Sequence, residues 1–181
     1  MMKMQVANIK VTLYLDRAIE EKLDKIFNIY RLPDGGTLTV YSSKPKLIHL
    51  TGFTSLDELP GLKRKISQYF KHDFKFISEK VNAVMLNYKA SQESERINIP
   101  QFYQIMCEEK PKYEPQYNPE LFPSASLYCH YRDTNRKIYV QVFHSGSVQA
   151  LGLRALSDRP FVEQFVSEIL ALYRLKTTQH P

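Results

Sequence analysis

Cys129 and His130 come closest in this chain to a nucleophile and its base, a thiol beside an imidazole in the run SLYCHYR. That run reads as a strand, and neighbours on a strand point to opposite faces, so the two side chains are not expected to cooperate. Cys107, Cys129, His130 and His144 carry donor atoms suited to a soft metal, but their scattered positions lack the paired spacing of a ligand set. Core cysteines and surface histidines are the expected roles. The carboxylate pairs Glu20–Glu21 and Glu108–Glu109 fall on expected helix surfaces, where solvated acids are ordinary. No catalytic group, metal site or cofactor site follows from these residues, and the chain is not expected to be an enzyme.

The bulk properties describe a partner better than a reaction. Lys and Arg number 25 against 19 Asp and Glu, and the resulting net charge of +6 favours an anionic partner, nucleic acid among them. Two cysteines fall short of a disulfide framework, which fits a reducing, intracellular compartment. Lys10 and Asp16 interrupt the N-terminal segment before any apolar run could serve as a secretory core. No stretch approaches the about 18 apolar residues of a membrane span, so no membrane partner is expected. With 43% hydrophobic residues the chain can bury one domain or two small fused halves.

VANIKVTLYL alternates and is rich in β-branched residues, which predicts a strand over 6–15. Asp16 then stands as an N-cap before RAIEEKLDKIF, whose Ile19, Leu23, Ile26 and Phe27 recur at helical spacing and predict a short amphipathic helix. Pro33, Asp34, Gly35 and Gly36 form the strongest turn signal, and TLTVYSS and SKPKLIHLTG read as two further strands. Leu59, Leu62, Ile66 and Phe70 predict a second helix that carries Lys63, Arg64 and Lys65. The order then returns: a strand in FKFISEKVNAVMLNY, a helical IPQFYQIMCEE, a Pro-rich loop, strands in SLYCHYR, KIYVQVF and SVQALGL, and a closing helix in RPFVEQFVSEILALYRL.

The text of the two halves agrees with that order. Tyr41 aligns with Phe143, Ser43 with Ser145, Gly52 with Gly152, Pro60 with Pro160, and Asn8 in VANI with Asn82 in VNAV. An internal duplication is the expected explanation, with one repeat over 1–75 and another over 76–181, the second lengthened by KYEPQYNPELFP.

The run YNPELFPS, followed by a strand pair and VFHSGSV, resembles the second repeat of the TATA-box-binding protein family. Tyr117, Pro119, Glu120, Leu121, Phe122, Pro123, Phe143, Ser145 and Gly146 carry the likeness, and Asn8, Tyr41, Ser43, Thr51 and Gly52 carry a looser one in the first half. The resemblance implies an α+β fold: a saddle of two pseudo-symmetric repeats, one curved antiparallel sheet with helices on the convex face. It also implies a nuclear or viral transcription initiation factor that binds promoter DNA in the minor groove and recruits a B-type initiation factor and RNA polymerase. On this likeness Asn8 and Asn82 donate to base edges, Phe122 and Phe143 wedge between bases, and Val84 and Thr51 belong to the apolar docking face. Glu120 and Leu121 meet the B-type factor.

Several residues depart from the family pattern. No proline-phenylalanine loop precedes RLPDGG, so one wedge has no counterpart, and Tyr41 replaces another. Lys10 and His49 stand where apolar face residues are expected and imply phosphate contacts and salt-sensitive binding, while Gln149 and Leu151 replace a valine and a threonine. These changes support a second reading, a protein-interaction subunit of a transcription complex with weak or no sequence-specific DNA binding, in which Lys63, Arg64 and Lys65 meet acidic protein surfaces. An apolar docking face without DNA also predicts a homodimer through that face.

Overall fold

A computed structural model describes residues 2–20, 25–131 and 135–179. Its strands are β1 (Gln5–Leu15), β2 (Phe27–Arg31), β3 (Thr37–Tyr41), β4 (Lys44–Phe53), β5 (Phe76–Tyr88), β6 (Gln116–Tyr117), β7 (Ser124–His130), β8 (Lys137–Phe143) and β9 (Val148–Leu153). Its helices are α1 (Leu59–Phe70), α2 (Ile99–Glu109) and α3 (Arg159–Gln179). The class is α+β, as expected. Strand order runs β2-β3-β4-β1-β5 and continues β5-β9-β8-β7-β6, and the ladders β1–β4, β2–β3, β3–β4, β6–β7, β7–β8 and β8–β9 are antiparallel.

Two units divide the chain. One spans Val6–Val84 and the other takes the remaining described residues, so the division falls within β5, nine residues beyond the end of the expected first repeat at residue 75. In the first unit the inward positions of β1, Ile9, Val11, Leu13 and Leu15, meet Leu38 and Val40 of β3, Ile48 and Leu50 of β4, and Leu59, Leu62 and Ile66 of α1. Each such fully buried aliphatic side chain contributes roughly 1.5–3 kcal/mol relative to exposure. In the second unit Ala125, Leu127, Ile138, Val140, Val142 and Ala150 are buried along the strands. Phe102 of α2 stacks edge-on against Tyr173 of α3 at 5.7 Å. Met4 is fully buried, and its N–H donates to Glu163 Oε1 of α3 at 2.7 Å.

The helix expected over 17–27 is corrected at both described ends. Arg17–Glu20 is irregular, Phe27 opens strand β2, and Leu23 lies outside the described residues. The hairpin explains why. Asp34, Gly35 and Gly36 adopt φ of 60°, 113° and 91°, which reverses the chain tightly and lays Phe27–Arg31 against Thr37–Tyr41 in five consecutive pairs. That ladder, with Phe27, Ile29 and Arg31 alternating, overrides the helical spacing of Ile26 and Phe27.

Local geometry repeats between the units. Gly52 and Gly152 both sit at φ 87°. After each, a carboxylate turns back to accept backbone N–H groups before the helix: Glu58 from Thr54 and Ser55 at 3.1 Å, and Asp158 from Arg154 and Ala155 at 3.3 Å.

Candidate nucleic-acid interface

The strands of the first unit bury one face against α1 and leave the other open, because side chains alternate along a strand. That second face carries Asn8, Lys10, the buried Thr12 and Tyr14 of β1, Thr37, Thr39 and Tyr41 of β3, and His49 and Thr51 of β4. Register sets them in rows: Ile29, Thr39, His49 and Thr12 follow one another across four strands, and Arg31, Thr37 and Thr51 across three. Asn82 of β5 extends the first row, its Oδ1 accepting the Thr12 hydroxyl at 2.6 Å, while Thr12 Oγ1 also lies 3.0 Å from His49 Nδ1. Asn8 is held differently, its Oδ1 accepting from Gly52 N at 2.8 Å beside a register shift between β1 and β4. Both asparagines are half-buried and spend their oxygens on the protein.

Tyr41 meets His49 edge-on at 5.6 Å and Phe27 at 6.2 Å. Phe27 is the residue that helical spacing misses: it stands on β2 opposite Tyr41 and is 48% exposed. Ile26 and Ile29, on either side of it, are 83% and 58% exposed. Reading FNIYR and TLTVY as the two arms of the Asp34-Gly35-Gly36 turn would have placed it.

In the second unit the corresponding face carries Ser124 and Ser126, both buried, and Tyr128 of β7, Tyr139, Gln141 and Phe143 of β8, and Gln149 and Leu151 of β9. Phe143 stands opposite Ser124, Gln141 lies between Ser126 and Gln149, and Tyr139 between Tyr128 and Leu151. Phe143 ends β8 at a turn where Gly146 N–H donates to the Phe143 carbonyl at 2.9 Å and Gly146 adopts φ 86°. The loop before β7 is folded around Asn118, whose Oδ1 accepts from Glu120 N at 3.1 Å and whose carbonyl accepts from Leu121 N and Phe122 N. That turn presents Glu120, Leu121 and Phe122 to solvent, with Phe122 at 59% exposure as its Pro-flanked setting predicts. Leu121 and Phe122 border a groove of about 390 Å³ with Tyr117, Ser124, Ser126 and Tyr139.

Other expected residues fall elsewhere. Val84 is 1% exposed, although alternation sets it on the same face of β5 as Asn82, which reaches Thr12. Lys63 is engaged by Glu79 and stands over the Phe76 ring at 5.4 Å, leaving Arg64 as the exposed cation of its trio. His49 is a poor phosphate ligand: burial, and then the Lys10 ammonium, hold its pKa below the ordinary imidazole range.

Cys129 is buried and His130 exposed at the end of β7, as alternation along a strand requires, and both border a cavity of about 520 Å³ with Phe161 and Phe165. Burial pushes the Cys129 thiol up to about 12, far from the thiolate that nucleophilic chemistry needs, and His130 lies 3.5 Å from Glu114. Glu109 pairs with Lys176, and Glu108 accepts from Gln104; Glu21 lies outside the described residues. Among the described residues no group of three His, Cys, Asp or Glu side chains is placed to hold a metal ion, and no helix is long and apolar enough to cross a membrane.

A solved structure described as Methanococcus jannaschii TBP is similar to this chain over nearly its whole length, covering 96% of this chain and 99% of that one with a TM-score of 0.66. Sequence identity is 18%, so the likeness is one of fold: the chain has the fold of that protein. No family model and no curated protein sequence matches the chain.

Proposed function

We propose that this chain is a transcription initiation factor of the TATA-box-binding type, which lays the open face of its strands on the minor groove of promoter DNA. The observation that carries the reading is the pair Asn8 and Asn82, each half-buried with its amide oxygen held by the protein, which leaves the amide N–H groups as the donors for a partner. Minor-groove edges of A·T pairs present acceptors only, and an amide donor suits them in either orientation. Each unit also exposes an aromatic side chain of the kind that prises apart base steps, Phe27 in the first and Phe122 in the second. Thr51, Tyr41 and Phe143 supply further contact, and Lys10 reaches phosphate.

The turn carrying Glu120 and Leu121 is the proposed seat of a B-type initiation factor, and Arg64, with Lys63 and Lys65 beside it, meets acidic surfaces of other transcription proteins and of RNA polymerase. The site of action is the nucleus or a viral transcription site. Without DNA, a second copy of the chain covers the same faces.

A mobility-shift titration of duplex DNA at several salt concentrations tests this. Log affinity is expected to fall steeply with log salt, in proportion to the phosphates neutralised. A flat salt response sinks the DNA reading and favours the interaction subunit, for which the exposed Phe27 and Ile29 of terminal strand β2, with Ile26 just before it, are the specific support.

A further inference from the structure

Thr12 has one hydroxyl proton, and the structure commits it. With that proton given to Asn82 Oδ1 at 2.6 Å, Thr12 Oγ1 meets His49 Nδ1 at 3.0 Å only as an acceptor. The ring proton of His49 therefore sits on Nδ1, and Nε2 of the neutral ring keeps its lone pair. Burial and the nearby Lys10 charge both disfavour imidazolium, so the neutral ring holds at physiological pH. Nε2 has no hydrogen-bond partner among the described residues and is not sealed from solvent.

The open face of the first unit thus presents two amide donors, from Asn8 and Asn82, and one imidazole acceptor in the same cross-strand row as Asn82. The minor groove has the reverse inventory: acceptors at every base pair, and one donor, the 2-amino group of guanine. The hydroxyls of Thr39 and Thr51 rotate to donate or accept and so discriminate little. An imidazole whose tautomer is locked by Thr12 cannot rotate its chemistry.

We propose that His49 is a specificity residue that accepts a hydrogen bond from the guanine 2-amino group, so that the site includes a G·C pair beneath β4. This rests on the minor-groove reading given above. The groups facing His49 are Lys10 and Thr12 from β1, Thr39 and Tyr41 from β3, and Asn82 from β5; of these only Lys10 is charged at neutral pH. Protonation of His49 would turn Nε2 into a donor and remove the preference.

The test uses the full chain and a randomised duplex pool, selected with wild type and with His49→Val, followed by replacement of the selected guanine with inosine, which lacks only the 2-amino group. Wild type is expected to select a G·C pair and to bind the inosine duplex about fivefold more weakly, the worth of roughly one net hydrogen bond. His49→Val is expected to lose both the selection and the inosine effect, and the wild-type effect is expected to shrink as pH falls below the usual histidine range. Wild type that binds duplex but treats inosine and guanine alike, or selects no guanine, overturns the assignment of His49 alone. If no duplex is retained by wild type at any salt concentration, the DNA reading has failed and the assignment with it. The inosine comparison needs no variant, so poor folding of His49→Val does not weaken it.

Discussion

Phe27 and Tyr41 face each other across the β2–β3 ladder with ring centroids 6.2 Å apart and planes inclined at 52°. Their counterparts by register in the second unit are Ser124 and Phe143, so that unit carries its other aromatic two residues before the strand, at Phe122. Each unit therefore exposes an aromatic side chain near one end of its hairpin, by different local means.

Phe27→Ala is expected to reduce DNA bending, read as energy transfer between fluorophores at the two duplex ends. Because the side chain is 48% exposed, folding stability should fall by no more than about 1 kcal/mol in urea denaturation. Full bending by the variant would return Phe27 to the role of an ordinary surface aromatic.

Phe122→Ala and Phe143→Ala should each reduce bending in the same assay, since one is 59% exposed and the other closes the open face of β8. Unchanged bending in both variants removes them from the wedge role.

Gly146→Ala should destabilise the second unit severely. A Cβ at this position would lie 2.1 Å from the Glu95 carbonyl oxygen, on a backbone at φ 86°. A loss of about 3 kcal/mol or more is expected. Gly35→Ala is the control: its φ of 113° is strained, but nothing lies within 4 Å, so a loss of about 1 kcal/mol is expected. Equal denaturation midpoints for the two variants would contradict the steric account.

Asp158 should give the fold an acid-sensitive component. Burial raises its pKa, but hydrogen bonds from Tyr131 and Arg136, the Arg136 charge and the Arg154 N–H together hold it below the usual 3.8. A carboxylate whose folded pKa is depressed adds stability that is fully present above its unfolded value and is lost as pH falls through the folded one. Asp158→Asn should flatten stability against pH below about 4 and cost about 3 kcal/mol at neutral pH, because it leaves Arg136, now 2.8 Å from Asp158 Oδ2, beside a neutral group. An unchanged acid limb in the variant would show that other carboxylates set it.

Much of this was legible because alternation and turn chemistry are local. Val11, Leu13, Leu38 and Val40 announce strands with one buried face, and the asparagine pair announced itself by recurring within matched text. Phe27 was not legible, because Ile26 and Phe27 also satisfy helical spacing and only the pairing across Asp34-Gly35-Gly36 decides between the two periods. The burial of Val84 was not legible either, since it depends on which neighbours cover β5, which no local pattern records. The hydrogen-bond chain from Asn82 through Thr12 to His49 joins residues far apart in sequence, and only register brings them together.

The anchoring of Met4 to Glu163 makes the first few residues structural property of the last helix, although the strand they lead into serves the other unit. A gene split at β5 would therefore not yield two self-sufficient products: the downstream fragment would lack the segment that fills its Met4 site and satisfies Glu163. Supplying residues 2–5 in trans, or grafting them ahead of β5, is the natural way to make that fragment whole.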